Sequence, residues 1–158
     1  MPLPRDLRAS AESALNGLLR DAFAAGDPEP DQVDRVLKET KTLGIALDAA
    51  ALGFVLRKRI ESMAEVVAAD FTDIHSIARL QKTVALVRSL PFPVDLWWAQ
   101  TLCHKWIGEV YGDFLSKAES GDKHAQDWTE QVAALSEQLM FLNPGASAEV
   151  LPAAPSAI

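Results

Sequence analysis

Apolar residues recur along this chain at intervals of three and four through six successive segments and nowhere alternate over a useful length, which predicts helices and no sheet. The first segment, residues 5–25, sets Leu7, Ala11, Leu15, Leu18, Leu19, Ala22 and Phe23 on one stripe, and Gly26 ends it. Pro30 suits the first turn of a second helix, whose early acids favour the positive end of the dipole. Val33, Val36, Leu37 and Thr40 line its inner face, and Gly44 closes it. Asp48 stands as the N-cap of a long third helix bearing Leu52, Val55, Leu56, Ile60, Met63 and Val67, with an apolar side wide enough for a central element.

Thr72 or Asp73 caps a fourth helix carrying Ile74, Ile77, Leu80, Val84 and Val87. Pro91 ends it by disfavouring helical geometry at Leu90. The connector "PFPV" has extended character, and Asp95 is placed to accept from the backbone N–H of Trp97 or Trp98, starting a fifth helix that runs to about Glu119. On that helix Leu102, Trp106, Val110 and Phe114 form one face, with Trp98 in register above them and Trp97 about 100° away. Asp122 caps a sixth helix with Ala125, Trp128, Val132, Leu135, Leu139 and Leu142 inward. The pattern predicts an all-α, single-domain bundle of about six helices, antiparallel or orthogonal, over residues 1–143. A flexible tail rich in proline, alanine and serine is expected over 144–158.

Composition acts mainly by exclusion. With 158 residues, 49% hydrophobic and 23% charged, the chain can fold around one core. Its 22 acidic and 15 basic residues leave a formal charge of -7, a field that repels phosphate polymers and anionic lipid, so no nucleic-acid partner is expected. The one basic run, Arg57 to Arg59, reads as a solvated helix face. No apolar run approaches the roughly 20 residues of a membrane span, and no signal peptide is readable at the start, so a cytoplasmic location without membrane contact is expected.

The candidate chemistries are few. The single cysteine, Cys103, excludes an internal disulfide and a multi-cysteine zinc site. Its neighbour His104 points about 100° away on a helix, a poor geometry for a nucleophile and base, so Cys103 reads as a small packing residue. His124 and Asp127 have the i, i+3 spacing of helical metal ligands but read as a polar pair in a capping region, and His75 lacks a companion ligand. Glu109 and Asp113 form a like-charge pair of the kind found in solvent, and no glycine spacing makes a phosphate loop. No catalytic, cofactor-binding or metal-binding residue is assigned. The stretch "LPFPVDLWWAQTLCHKW", residues 90–106, stands out because it holds three of the four tryptophans. Flat aromatic faces bind sugars and proteins with little entropy to lose. Trp97 is the ring expected at the surface, together with Phe92. The alternative, that these connector aromatics staple a helix entry onto its bundle, comes first of the two.

The segment "LGIALDAAALGFVLRKRIESMAEVVAAD" followed about twenty residues later by "LPFPVDLWWAQTLCHKW" resembles the helical C-terminal region of family 57-type glycoside hydrolase-like proteins, of the α-amylase and α-mannosidase kind. The resemblance is carried by Leu43, Gly44, Leu47 and Asp48 at one helix entry. At the next it is carried by Pro91, Phe92, Val94, Asp95, Leu96, Trp97, Ala99 and Gln100, and it covers residues 30–140. Members of that family act on α-glucans or related glycans with acidic residues on an N-terminal barrel, and a barrel of roughly 250 residues does not fit in this chain. The resemblance therefore implies a non-catalytic accessory domain without a cofactor. In that role Phe92, Trp97, Trp98 and Gln100 would pack on the catalytic domain or edge its glycan. A helical interaction or scaffold module unrelated to carbohydrate is the alternative.

Overall fold

The computed structural model describes residues 4–139. The expected tail at 144–158, and Leu142 of the sixth stripe, lie outside the described residues. Six α-helices follow one another: α1 (Arg5–Ala24), α2 (Pro30–Leu43), α3 (Ala49–Ala69), α4 (Ile74–Arg88), α5 (Trp97–Glu119) and α6 (Lys123–Gln138), with no strand among the described residues.

Local chemistry sets the boundaries. Three aspartates cap helices as their positions predict: Asp48 accepts from Ala51 N at 3.0 Å, Asp73 from His75 N at 3.0 Å, and Asp122 from Ala125 N at 3.1 Å. Pro30 occupies the first turn of α2, where its missing N–H has no helical partner to lose. The α2 helix ends in a Schellman turn, with Gly44 left-handed at φ 63°, Gly44 N donating to Lys41 O and Ile45 N to Thr40 O. The same motif ends α5, where Gly121 at φ 94° lets Asp122 N reach Lys117 O.

The long helix α3 is central. It packs against α1, α4 and α5, while α6 lies across α4 and α5 and α2 rests on α1. Leu52, Leu56, Ile60 and Val67 of α3 are buried, facing Leu19 and Phe23 of α1 and Ile77, Leu80 and Val84 of α4 in one continuous core. Each such side chain contributes about 1.5–3 kcal/mol of transfer free energy when fully buried. Asn16 of α1 fixes the α2–α3 link to this core: its Nδ2 donates to Ala46 O at 3.1 Å and its Oδ1 accepts from Asp48 N at 2.7 Å.

The expected stripes need correction at two helices. Leu7 and Leu18 of α1 are exposed, because α2 and α3, the described helices that pack most on α1, do not reach its outer side. On α5 the buried residues are Ala99, Cys103, Trp106 and Ile107, not a line beginning at Trp98. A spacing of four advances about 40° per step around the helix axis, so the series from Trp98 to Phe114 wraps through about 160° and cannot share one face. Its lower half does pack inward. Phe114 stacks on Trp128 of α6 at 3.9 Å between ring centroids, Trp106 meets Trp128 edge-on at 6.3 Å, and Trp128 Nε1 donates to Phe71 O at 2.6 Å.

Candidate aromatic docking face

The connector from Ser89 to Leu96 leaves α4 through a turn at Ser89, bends at residues 90–92 and runs without regular structure to Leu96 at the start of α5. Its side chains nevertheless alternate between the core and solvent. Leu90, Phe92 and Leu96 are buried while Pro91, Pro93 and Asp95 face solvent. Phe92 is therefore a core residue, 9% exposed, and the expectation that it shares the surface with Trp97 is corrected. The signal was present in the sequence as a period of two at positions 90, 92, 94 and 96.

Asp95 starts α5 as its position predicts, Oδ1 accepting from Trp97 N at 3.0 Å. Because Leu96 and Ala99 turn inward, the two residues between them turn out. Trp97 is 49% and Trp98 37% exposed. The connector also walls two shallow grooves. One, of about 300 Å³, separates it from the start of α3 and is lined by Ala49, Gly53, Phe54, Arg57, Pro93, Val94 and Asp95. Phe54 there is 56% exposed, with the Arg57 guanidinium 5.5 Å above its ring. The other, of about 420 Å³, is lined by Val87, Arg88, Leu90, Phe92 and Val94 among others.

Gln100 makes a hydrogen bond within the bundle. Its Nε2 donates to Leu139 O at 3.0 Å, and Arg88 Nε donates to Gln138 O at 3.0 Å. Two side chains from α4 and α5 thus satisfy carbonyls at the end of α6. Of the candidate set, Trp97 and Trp98 expose the largest apolar surface, and Gln100 is half-buried.

The remaining candidates are dispersed. Cys103 is fully buried, and burial pushes its thiol up to about 12. The Trp106 indole N–H beside the sulfur moderates that shift without reaching hydrogen-bond geometry, and it has no partner among the described residues. Asp127 accepts from Lys123 at 2.6 Å, raising the lysine above its ordinary value, while His124 is exposed. His75 is exposed and His104 half-buried, on separate helices, and Glu109 and Asp113 both face solvent. Asp73 is held below the usual carboxylate range, first by the Ser76 hydroxyl at 2.7 Å and then by the backbone N–H groups it caps. Among the described residues no group of three or more histidine, cysteine or acidic side chains is placed to hold a metal ion. No described helix is long and apolar enough to cross a membrane.

Compared with protein-family models, curated proteins and solved structures, the chain matches none.

Proposed function

We propose that this chain is a non-catalytic helical accessory domain that docks, through the aromatic start of α5, onto the catalytic domain of a family 57-type glycoside hydrolase-like enzyme. The observation that carries the reading is the outward pair Trp97 and Trp98 on a rigid helix entry whose inward neighbours, Leu96 and Ala99, are buried. Large flat side chains held by a stiff backbone lose little entropy on binding, which is why tryptophan dominates interface hot spots. Phe54 and Pro93 extend the apolar area across the adjoining groove. The resemblance of residues 90–100 and 43–48 to the family's helical region supplies the partner.

Direct glycan binding is the weaker branch. A sugar site requires several polar groups aimed around the stacking ring, and the Gln100 Nε2 is engaged at the end of α6. The discriminating experiment is a tryptophan-fluorescence titration of the chain with a family 57-type barrel domain and, separately, with soluble α-glucan oligosaccharides, repeated on Trp97→Ala. A saturable response to the barrel that weakens at least tenfold in the variant supports docking. A response to oligosaccharide alone moves the function to glycan contact. Silence toward both refutes the proposal and leaves an interaction module unrelated to carbohydrate.

A further inference from the structure

A shallow groove of about 180 Å³ lies between α3 and α4, lined by Arg59, Ser62, Met63, Val66, Ser76 and Arg79. Its charged groups are unevenly partnered. Arg79 grips Asp27, in the loop between α1 and α2, with Nε 2.9 Å from both carboxylate oxygens and Nη2 2.8 Å from one. Arg59 is the more deeply placed cation, its side chain 25% exposed, yet the carboxylate it faces is the same Asp27 at 4.0 Å, beyond hydrogen-bonding distance. Its Nε is buried without a hydrogen-bond partner among the described residues. Lys82 adds a third positive charge to the field at Asp27. The other nearby acid, Asp73, acts on Arg79 at longer range and is engaged by Ser76 and the start of α4.

One loop carboxylate thus answers three cations. A carboxylate offers a single fork of two oxygens, and Arg79 already occupies it. The Arg59 Nε, withdrawn from water with its donor unmet, carries a desolvation cost, and the side chain's remaining quarter of exposure leaves the guanidinium within reach of a further acceptor. A tetrahedral phosphate presents enough oxygens, at enough charge, to engage two guanidinium groups together, and arginine's planar fork suits it. The Ser62 hydroxyl, which makes no hydrogen bond among the described residues, lines the same groove, and Met63 and Val66 give it an apolar wall that strengthens such contacts. The groove lies below the roughly 300 Å³ at which sites for drug-sized ligands begin, so it suits one phosphate group and not a whole nucleotide.

We infer that the Arg59–Arg79 groove binds a phosphate group, free or as the head of a small phosphomonoester, with Asp27 serving as the intramolecular counter-ion that the phosphate displaces. The net charge of -7 disfavours phosphate polymers but leaves this local cation cluster able to hold a single dianion.

The test is an NMR titration of the chain with inorganic phosphate, and in parallel with glycerol phosphate, at ionic strength held constant with sodium chloride. The expected result is saturable shifts at the Nε–H groups of Arg59 and Arg79 and the amide of Ser62. Binding should tighten about tenfold or more in Asp27→Ala, as loss of a charge-assisted competitor implies, and disappear in Arg59→Ala. Asp27 sits on an exposed loop, so its variant is expected to keep the parent spectrum elsewhere. Tighter binding of the phosphomonoester identifies it as the natural form, and tighter binding of inorganic phosphate identifies the free ion. Shifts that stay linear in phosphate, an Asp27→Ala variant that binds no tighter, or an Arg59→Ala variant that binds equally well would each overturn the inference.

Discussion

Replacing Trp128 by phenylalanine tests the claim that α5 and α6 are joined by an aromatic cluster closed with one hydrogen bond. Trp128 is fully buried, stacks on Phe114 and sends its indole N–H to Phe71 O at 2.6 Å. A phenyl ring keeps the stack but removes the donor and part of the ring volume. An unsatisfied carbonyl costs about 1–3 kcal/mol, tempered here because Phe71 is half-buried and water has partial access. The missing atoms cost about 1 kcal/mol more. The sum is about 2–3 kcal/mol, against about 3–5 kcal/mol for truncation to alanine at a comparable core site. For a chain of this size each kcal/mol lowers Tm by about 2–4 °C, so Trp128→Phe should melt about 5–10 °C below the parent. Urea unfolding followed by circular dichroism is the suitable assay, because the substitution itself alters the fluorescence. A variant within about 0.5 kcal/mol of the parent at unchanged m-value would refute the reasoning, since that is the scatter of substitutions that break no buried contact.

Three further outcomes follow from the same structure. With its thiol pushed up to about 12, Cys103 is thiolate in only about one molecule in ten thousand at pH 8, and it is buried besides; a disulfide reagent should label it in urea and not in native buffer, and fast native labelling would contradict its placement. Asn16→Ala removes the bracket on Ala46 and Asp48 and should lower stability by about 1–2 kcal/mol in urea unfolding, more than Ser13→Ala on the exposed side of the same helix. The hydrogen bonds from Arg79 hold the Asp27 carboxyl below its ordinary value, so the pair stabilises the fold above the unfolded-state value of about 3.9 and that contribution is lost as pH falls through the folded-state value. Both side chains are half-exposed, which limits the effect to at most about 1 kcal/mol; the stability difference between parent and Asp27→Asn should shrink between pH 5 and pH 2.5, and a constant difference would argue against the ion pair.

What the sequence made legible follows the range of the forces involved. The caps Asp48, Asp73 and Asp122 and the turn at Gly44 act within a few residues, and each was readable from its neighbours alone. Six helices and a central α3 also followed from spacing, because burial on one side imposes its period on the chain. Register within a face was harder to read. Whether Trp98 or Ala99 faces inward differs by one residue, and the inward pair Leu96 and Ala99 sets it. Gln100, Asn16 and the Asp27–Arg79 pair join residues 30 to 52 positions apart, and no local pattern announces such contacts.

The four tryptophans divide into a buried pair and an exposed pair. Trp106 and Trp128 fill the space between α5 and α6 with Phe71, Tyr111 and Phe114, so the core is supplied with aromatic volume without the first turn of α5. Trp97 and Trp98 bring no comparable burial, and each leaves apolar area in water that a lysine or glutamate at the same outward position would not. Two partly exposed rings side by side have the composition of a partner surface, which is the reading the docking proposal takes. Under the docking proposal, Trp97→Ala and Trp98→Ala should leave Tm within a few degrees of the parent while weakening association. A fall in Tm like that expected for Trp128→Phe would instead assign both rings to the support of the helix entry.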